Sequence, residues 1–382
     1  MKQNIIISGL HLSDNNRGSA ALGYGAIEFL KLQNKLSEKN TLVNFRFYKN
    51  PFRASNRRPF VEQVNVGNVS IPHITYNIFF LQLIAARFFR IVFPFSRISK
   101  VLKDTSLIAA INGGDGFSDI YGETWFFNRL QEFFLARIYN IPLVILPQTL
   151  GPFKRKKNYL IAKHVLEYAS RIYVRDDRFD EELKKMGLPF EHSKDLSFYM
   201  KPEPWNIEVK ENAVGINVSG LAYSNKFKTL AGQFSMYPYL IESLIRAFQL
   251  RKIPVYLISH SYNYKNDDTN NDDIVASRSV YKRLNEKKGV YLIDHDLTSP
   301  QTKYVISKMN FFIGTRMHAN FAAIYTGVPV YGLAYSYKFQ GAFEANGIYD
   351  STSMINNISK DEADVIVSKI IIKYKERNEK RT

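Results

Sequence analysis

The chain has 382 residues, of which 45% are hydrophobic and 14% aromatic, so it can bury more than one core and is not a disordered polypeptide. Its net charge of +17 favours anionic partners, such as phosphorylated substrates or a membrane surface, although solubility alone also explains such an excess. No signature of a nucleic-acid-binding module is found, so we expect no nucleic-acid partner. The chain has no cysteine, which excludes disulfides and thiolate zinc sites.

The first residues predict a buried strand and not an export signal. The apolar run Ile5–Ile7 is only three residues long before Ser8. We therefore expect a cytoplasmic protein. A polar loop with several glycines, His11–Gly25, follows and leads into a helix, an arrangement typical of phosphate-binding junctions. An ordinary strand-to-helix turn explains the loop equally well, because it matches no established phosphate-binding motif.

A basic and aromatic stretch follows the second predicted strand, Thr41–Tyr48, and the polar segment Phe52–Val69. Ile78–Lys103 combines aromatic and aliphatic residues with five Lys or Arg residues and no acidic one. Its apolar part is too short to cross a bilayer. The mixture suits a helix at a membrane interface, and hence peripheral contact with the inner face of the membrane. A helix packed on the sheet, with its arginines at the rim, is the equal alternative.

A glycine-rich loop, Asn112–Gly122 (NGGDGFSDIYG), follows the buried strand Leu107–Ile111. Adjacent glycines let the backbone approach a ligand closely, and the hydroxyls and carboxylates beside them suit sugar hydroxyls or a catalytic carboxylate. A turn with N-capping residues explains some of these positions. Gln148 ends the next strand, at the edge where open α/β sheets bind ligands. The candidates in this half are Gly113, Gly114, Asp115, Ser118, Asp119, Tyr121 and Gln148.

Strands alternate with helices on both sides of the proline-marked segment Asp195–Pro204, which predicts two α/β domains with parallel sheets. We assign residues 1–200 to an N-terminal domain, 205–357 to a C-terminal domain and 358–382 to a basic terminal helix. The polar loop at Tyr264–Asp273 contains four aspartates. Aspartate is a preferred turn and N-cap residue, and no ligand spacing supports a metal, so we predict capping and no metal site.

The segment Gly314–His318 (GTRMH) lies between a predicted strand, Phe311–Ile313, and a predicted helix. Such a junction presents backbone N–H groups and the positive end of a helix dipole, so it can bind an anion. Arg316 can hold a carboxylate or phosphate with two hydrogen bonds, or can form a structural salt bridge to an Asp or Glu. His318 can move a proton near neutral pH, or can simply pack on Tyr335.

A second histidine, His260, ends another buried strand of the same domain. In a doubly wound sheet the carboxyl ends of the strands face the ligand crevice, so His260 and His318 are expected at the same edge. Two histidines and Arg316 around one anion would form a proton-transfer site.

Gly314–Ile348 (GTRMHANFAAIYTGVPVYGLAYSYKFQGAFEANGI) resembles the C-terminal signature of the polysaccharide pyruvyl transferases. NGGDGFSDIYG is similar to a glycine-rich motif in part of that family, and the resemblance spans roughly Ile5 to Ile348. It implies two Rossmann-like domains with parallel sheets facing across a cleft, as in GT-B glycosyltransferases. It also implies a phosphoenolpyruvate donor, no cofactor, and a sugar acceptor that receives a pyruvate ketal.

The resemblance implies roles for individual residues. His318 would be the acid that protonates the methylene carbon of the donor. Some members carry a further arginine after the first strand of the C-terminal domain, but Asn217–Tyr223 (NVSGLAY) has none. The assigned catalytic residues are His318, His260 and Asp115. The donor-binding candidates are Arg316, Gly314, Thr315, Lys338, Asn217 and Arg17. The remaining candidates of the N-terminal half are assigned to the acceptor.

Two other functions fit the same features. A glycosyltransferase with a nucleotide-sugar donor would use the same fold. A non-catalytic protein that binds glycans or anions would need no proton-transfer residue.

A lipid-linked acceptor would account for the basic, aromatic stretch. Neutralising Arg87 and Arg90 together is then expected to weaken binding of the protein to anionic vesicles, because each cation near an anionic surface contributes about 1 kcal/mol. Cosedimentation with vesicles measures this. Equal binding by the variant would exclude membrane contact through this stretch.

Overall fold

The computed structural model describes residues 3–48, 58–67, 69–79, 97–266 and 270–379, together with Leu81 and Leu83. The side chains of residues 337, 338, 340, 342 and 377–379 are not described. Most of the basic stretch at 78–103, with Arg87 and Arg90, lies outside the described residues. Two compact units form, one of residues 1–12 and 22–200 and one of residues 13–21 and 201–382. The segment 13–21 thus belongs to the second unit, although the sequence predicts it in the N-terminal domain.

The first unit is built on an eight-stranded sheet. Its strands are β1 (Asn4–Ser8), β2 (Thr41–Tyr48), β3 (Phe60–Val66), β4 (Val69–Phe79), β5 (Thr105–Ala110), β6 (Leu143–Gln148), β7 (Arg171–Val174) and β8 (Glu191–His192). The helices described beside them are α1 (Arg17–Leu32), α2 (Arg97–Lys103), α3 (Glu123–Arg129), α4 (Gln131–Ile138), α5 (Lys156–Tyr168), α6 (Asp180–Lys185) and α7 (Leu196–Tyr199).

The strands of this sheet follow the order β3-β4-β2-β1-β5-β6-β7-β8. All neighbours are parallel except β3 and β4, which form an antiparallel hairpin. The central strands are almost wholly apolar, as strands covered by helices on both faces must be. The order changes direction at β1 and β5, and the glycine-rich loop leaves β5 at that point.

The second unit holds a six-stranded sheet. Its strands are β9 (Val214–Asn217), β10 (Val255–Leu257), β11 (Val290–Leu292), β12 (Phe311–Gly314), β13 (Val330–Ala334) and β14 (Thr352–Met354). The described helices are α8 (Gly220–Ser224), α9 (Tyr237–Gln249), α10 (Asp273–Arg283), α11 (Ser299–Ser307), α12 (Met317–Ile324), α13 (Tyr337–Glu344) and α14 (Lys360–Glu379), with a 3-10 turn at Lys228–Leu230.

This second sheet is parallel throughout, with the strand order β11-β10-β9-β12-β13-β14. That is the order of a dinucleotide-binding Rossmann sheet. The order reverses between β9 and β12, which are hydrogen-bonded neighbours. Ligands of open α/β sheets bind beyond the carboxyl ends of the strands at such a reversal. The junction at Gly314–His318 leaves β12 at this place.

The terminal helix α14 is part of the second unit's core and not an appendage. It packs beside α9, and Tyr374 meets the rings of Phe248 and Phe311 edge-on at centroid distances of 5.3 and 5.7 Å. Ile366 and Ile370 of the same helix are buried. The outer side of this helix, whose inner side is apolar, carries the exposed lysines Lys360, Lys369 and Lys375.

Among the described helices, none has an apolar run long enough to span a bilayer.

Two helical glycines give a matched test of packing. A Cβ on Gly25 of α1 would overlap the carbonyl group of Leu196, whereas a Cβ on Gly341 of α13 would meet nothing within 4 Å. Gly25→Ala is expected to lower the free energy of unfolding by about 1–3 kcal/mol or more, because helices α1 and α7 must separate.

Gly341→Ala serves as the control. It is expected to leave stability unchanged or to raise it by up to about 1 kcal/mol through helix propensity. Thermal unfolding of both variants checks this, and equal melting temperatures would contradict the packing of α1 on α7.

Candidate functional site

A buried carboxylate connects the carboxyl ends of three strands in the second unit. Asp273, the first residue of α10, is 0% exposed. It accepts hydrogen bonds from the side-chain amide of Asn217 (3.1 Å) and from the backbone N–H groups of Gly220 (2.9 Å), His260 (3.1 Å) and Ser261 (3.0 Å). One side chain thus fixes the segments that follow β9 and β10.

Arg316 provides the positive charge for this carboxylate. Its Nη2 lies 2.7 Å and its Nε 3.1 Å from Oδ1 of Asp273, and Nη2 also donates to Oδ1 of Asn271 at 2.7 Å. Burial lowers the pKa of Arg316, but the charge and hydrogen bonds of Asp273, together with Tyr335 and Tyr237, raise it overall. The salt-bridge alternative for Arg316 is therefore what the structure shows, and two of its three guanidinium nitrogens are engaged by the protein.

The other residues of the junction hold its backbone in place. Asn217 accepts a hydrogen bond from the backbone N–H of Arg316 at 2.9 Å. The hydroxyl of Thr315 pairs with that of Tyr237 at 2.7 Å. Asn320 donates to the carbonyl of Gly314 at 2.9 Å, and a Cβ on Gly314 would overlap the Asn320 side chain. Gly314, Thr315 and Asn217, predicted to bind the donor, thus have structural contacts.

His318 lies in the first turn of α12. Its ring meets that of Phe321 edge-on at 5.6 Å. Gly18 lies against the other side, where a Cβ would be 2.7 Å from Nδ1 of His318. The imidazole is therefore held between α12 and the segment 13–21, which the sequence does not predict as its neighbour. The packing of His318 on Tyr335 stays a prediction.

His260 differs from His318 in its electrostatics. It is 3% exposed, and burial, followed by the positive charges of His318, Arg316 and Arg17, holds its pKa well below the usual value for histidine. His260 is therefore neutral at pH 7. The two histidines do influence one another, as the sequence predicts, but His260 cannot serve as an acid near neutral pH.

Arg17 holds the segment 13–21 on the second unit. Its Nε donates to the carbonyl of Leu297 and its Nη2 to Asp296, both at 2.7 Å, and its guanidinium lies 4.2 Å from the ring centroid of Tyr262. Its backbone N–H donates to the carbonyl of His260 at 3.0 Å. Nη1 donates to a further backbone carbonyl, at residue 14. All three side-chain nitrogens are thus used in structural contacts, and the donor-binding role of Arg17 stays a prediction.

Lys338 lies in α13, and its side chain is outside the described part of the chain. Its role as a donor ligand stays a prediction. Asp272 caps α10 by accepting from the backbone N–H groups of Ile274 and Val275, as the sequence predicts. Within the described residues, no group of three or more His, Asp or Glu side chains is arranged to hold a metal ion.

The candidates of the first unit separate into two groups. Asp115 and Tyr121 share a hydrogen bond of 2.7 Å beside the glycine-rich loop. Burial and the carboxylate of Asp115 together raise the pKa of Tyr121, so its hydroxyl stays protonated. These two side chains remain candidates for ligand contact, because Tyr121 is 52% exposed.

The other acceptor candidates are structural. Asp119 accepts from the backbone N–H groups of Lys154 and Arg155 and so orders the start of α5. Ser118 donates to the carbonyl of Pro152 at 2.8 Å. Gln148 is 0% exposed and donates to the carbonyl of Ala110 at 2.8 Å. The structure thus gives each of these three residues a structural contact, and their predicted acceptor-binding roles stay predictions.

The glycines of the loop make room for arginines of the protein itself. A Cβ on Gly113 would lie 3.4 Å from Nη2 of Arg129, and one on Gly114 would lie 2.8 Å from Nη1 of Arg175. Both glycines have positive φ angles, of 66° and 85°, which L side chains rarely adopt. The close approach predicted from the sequence is real, but the approaching groups are guanidinium side chains. Neither arginine is predicted as a site residue.

The buried, neutral His260 gives a pH prediction. In the unfolded chain a histidine binds a proton near pH 6.5, whereas folded His260 does not, so the unfolded state binds more protons below that pH. Stability from this group is therefore present above pH 6.5 and is lost as the pH falls. We expect a slope of up to about 1.4 kcal/mol per pH unit below pH 6.

His260→Asn is expected to flatten this slope, and His164→Asn, which changes an exposed histidine of α5, is expected to keep it. Chemical unfolding between pH 5 and pH 8 measures the difference. The same slope in wild type and His260→Asn would show that His260 is protonated in the folded protein.

Comparisons with known proteins agree with this architecture. The protein is similar to the amylovoran biosynthesis protein AmsJ of Erwinia amylovora, at 19% identity over 97% of this chain and 93% of that protein. Its fold is similar to that of the UDP-GlcNAc 2-epimerase of Methanocaldococcus jannaschii, with a TM-score of 0.58 and 9% identity over 98% of this chain and 93% of that one. The fold is also similar to that of a putative UDP-N-acetylglucosamine 2-epimerase from Listeria monocytogenes, with a TM-score of 0.56 and 10% identity over 97% of this chain and 87% of that one.

The likeness to these structures concerns the fold alone. It confirms the predicted GT-B-like class, an α/β protein of two Rossmann-like domains with parallel sheets. The family model named polysaccharide pyruvyl transferase matches residues 16–337. This range includes residues 16–21 of the segment 13–21 and the whole junction at Gly314–His318. Because this match covers most of the chain, the protein belongs to the polysaccharide pyruvyl transferase family.

Proposed function

We propose that the protein transfers the pyruvyl group of phosphoenolpyruvate to two hydroxyls of a sugar in a polysaccharide or its precursor, forming a cyclic ketal. One observation carries this proposal. At the carboxyl edge of the second sheet His318 stands beside a neutral histidine, His260, in a site whose positive charges come from Arg316 and Arg17. Such a site suits an anionic donor that must be protonated on carbon.

The reaction needs an acid that protonates the donor and positive charges that bind the donor's carboxylate and phosphate. His318 gives its proton to the methylene carbon of the donor, and the neighbouring carbon becomes an oxocarbenium-like centre. A sugar hydroxyl adds to that centre, phosphate leaves, and a second hydroxyl closes the ketal. Of the two hydroxyl protons, one restores His318 and the other leaves with phosphate. A positioned acid of this kind contributes about 10²–10⁴-fold in rate.

The low pKa of His260 supports this assignment of roles. Two histidines that share a positive environment cannot both be charged at pH 7, and burial selects His260 as the neutral one. In this proposal the acid proton is carried by His318, the less buried of the two. Neutral His260 can still donate or accept one hydrogen bond, and in this proposal it orients the attacking hydroxyl.

Donor binding is shared between several groups. Arg316 keeps Nη1 for the carboxylate or phosphate of the donor, since Nε and Nη2 are used by Asp273 and Asn271. The first-turn N–H groups of α12 add partial positive charge. Lys338 completes the donor site in this proposal. A lipid-linked acceptor and a place at the cytoplasmic face of the membrane belong to the same hypothesis.

The test is phosphate release from phosphoenolpyruvate in the presence of a panel of sugar acceptors. His318→Gln is expected to slow release by about 10²–10⁴-fold, because the acid is lost while the fold is kept. His192→Gln changes an exposed histidine of β8 and is expected to be active. Binding of phosphoenolpyruvate, measured by calorimetry, is expected to survive in His318→Gln.

Two results would count against the proposal. Full activity of His318→Gln would show that His318 is not the acid of the reaction. A nucleotide sugar that is consumed in place of phosphoenolpyruvate would assign the chain to glycosyl transfer.

A further inference from the structure

A second cationic site lies in the first unit, at the glycine-rich loop. The guanidinium of Arg129, the last residue of α3, lies close to the backbone of this loop. A Cβ on Gly116 would be 3.1 Å from its Cζ, and one on Gly113 would be 3.5 Å from its Nη1. Gly9, after β1, is on the same side, with a Cβ position 3.8 Å from Nη1. The guanidinium of Arg129 thus lies next to the backbone at three glycines.

Within the described chain this guanidinium makes no hydrogen bond and no ion pair; its recorded contact is with the exposed indole of Trp125, at 5.6 Å from the ring centroid. Other buried arginines of the protein differ. Arg175 donates to Asp195 at 2.8 Å, and Arg316 is held by Asp273. A half-buried guanidinium normally has such a carboxylate partner, because an uncompensated charge is costly to bury.

Glu132, one turn further along the chain, does not fill that role. Burial raises its pKa to about 7, and its side chain bonds to the hydroxyl of Ser8. The charge of Arg129 lowers the pKa of Glu132, but by less than burial raises it, and no ion pair joins these two described side chains. Burial also lowers the pKa of Arg129, against the opposing charges of Glu132 and Asp115. The surrounding carboxyls therefore compensate the guanidinium incompletely.

The glycine-rich loop also contains buried polar atoms that have no hydrogen-bond partner within the described structure. Asn112 is 1% exposed, and neither its amide nitrogen nor its amide oxygen has a hydrogen-bond partner there. Its φ of 48° lies in the left-handed region. Unsatisfied buried polar atoms and unusual backbone angles are concentrated at functional sites. Both features occur next to the guanidinium, since the backbone carbonyl of Asn112 accepts from the N–H of Gly116 at 3.0 Å.

We propose that Arg129 binds an anionic group of the sugar acceptor, a carboxylate or a phosphate, through two parallel hydrogen bonds from its guanidinium. The exposed ring of Trp125 and the pair Asp115–Tyr121 lie beside it and contact the attached sugar. The inference rests on the proposed function in one respect, namely that the substrate of this unit is a sugar. Planar, paired donors match the geometry of carboxylate and phosphate oxygens.

Binding can be measured without turnover. The full-length protein is titrated in a calorimeter with glucuronate, glucose 1-phosphate, glucose and phosphoenolpyruvate. At least one of the two sugar anions is expected to bind about tenfold more tightly than glucose, as a charge-assisted bidentate contact allows. Arg129→Gln is expected to lose that advantage. Arg129→Lys keeps the charge but not the paired donors, and it should retain part of the advantage.

Arg137→Gln, an exposed arginine of the neighbouring helix α4, is the matched control and should bind as wild type does. Unchanged melting temperatures show that the variants fold. The proposal is overturned if Arg129→Gln binds the sugar anions as tightly as wild type, or if glucose binds as tightly as they do. It is also overturned if Arg129 affects only phosphoenolpyruvate, which would make it a donor residue.

The failure of this inference differs from that of the proposed function. His318→Gln should keep the binding that depends on Arg129. If no acceptor supports phosphate release, the proposed ketal reaction is contradicted while the anion site at Arg129 can still be confirmed by binding. If phosphate release depends on His318 but Arg129→Gln binds the sugar anions as wild type does, the anion site is contradicted and the ketal reaction is supported.

Discussion

The second unit depends on one buried ion pair, between Asp273 and Arg316. Asp273 is fully buried and would be costly as an isolated charge, so its oxygens must be saturated. Four hydrogen bonds and a guanidinium do this, and the donors come from the ends of β9 and β10, from α8 and from the junction after β12. Removing either partner leaves the other charge buried and unpaired, at a cost of about 3–5 kcal/mol. The pair therefore sets the backbone on which both histidines are carried.

The same pair shapes the electrostatics of the site. Asp273 accepts a hydrogen bond from the backbone N–H of His260, and the backbone carbonyl of His260 accepts one from the backbone N–H of Arg17. The ring of His260 is thereby fixed in a buried place among positive charges and stays neutral. Gly18, next to Arg17, lies against His318. The segment 13–21 thus completes the environment of both histidines, although the residues before and after it belong to the first unit.

Elements with strong local signals are the ones that the sequence predicts well. Apolar runs such as LVIL in β6 and FFI in β12 can only be buried strands, and their alternation with helices predicts parallel sheets. The strand β3 is different. Its sequence, FVEQVNV, lies mostly at the surface at the edge of the sheet, and no such run marks it. Its pairing with β4 follows from tertiary contact, which single-sequence patterns do not contain.

Site residues follow a similar division. The junction at Gly314–His318 is recognisable because its residue types and their order are specific. The partners of its residues are not recognisable, since Arg316 meets a carboxylate 43 positions earlier and Arg17 one 279 positions later. Sequence therefore suggests that an arginine is free for a ligand when folding has already given it a carboxylate. The same ambiguity applies to Asn217 and Thr315, because a buried hydrogen bond and a ligand contact require the same polar side chains.

Glycines in a sequence are ambiguous in another way, because they can make room either for a ligand or for the protein itself. The glycine-rich loop shows how a structure distinguishes the two. A glycine is required wherever any atom comes too close for a Cβ, whether that atom belongs to a ligand or to the protein. At Gly116 the atom closest to the Cβ position is the backbone carbonyl oxygen of Asn112, and at Gly113 the φ of 66° favours glycine, so these glycines do not themselves indicate a ligand. The arginine does, because folding has given Arg316 and Arg175 their carboxylates and has left Arg129 without one among the described residues. The charge that remains uncompensated, and not the composition of the loop, is the evidence for a bound anion.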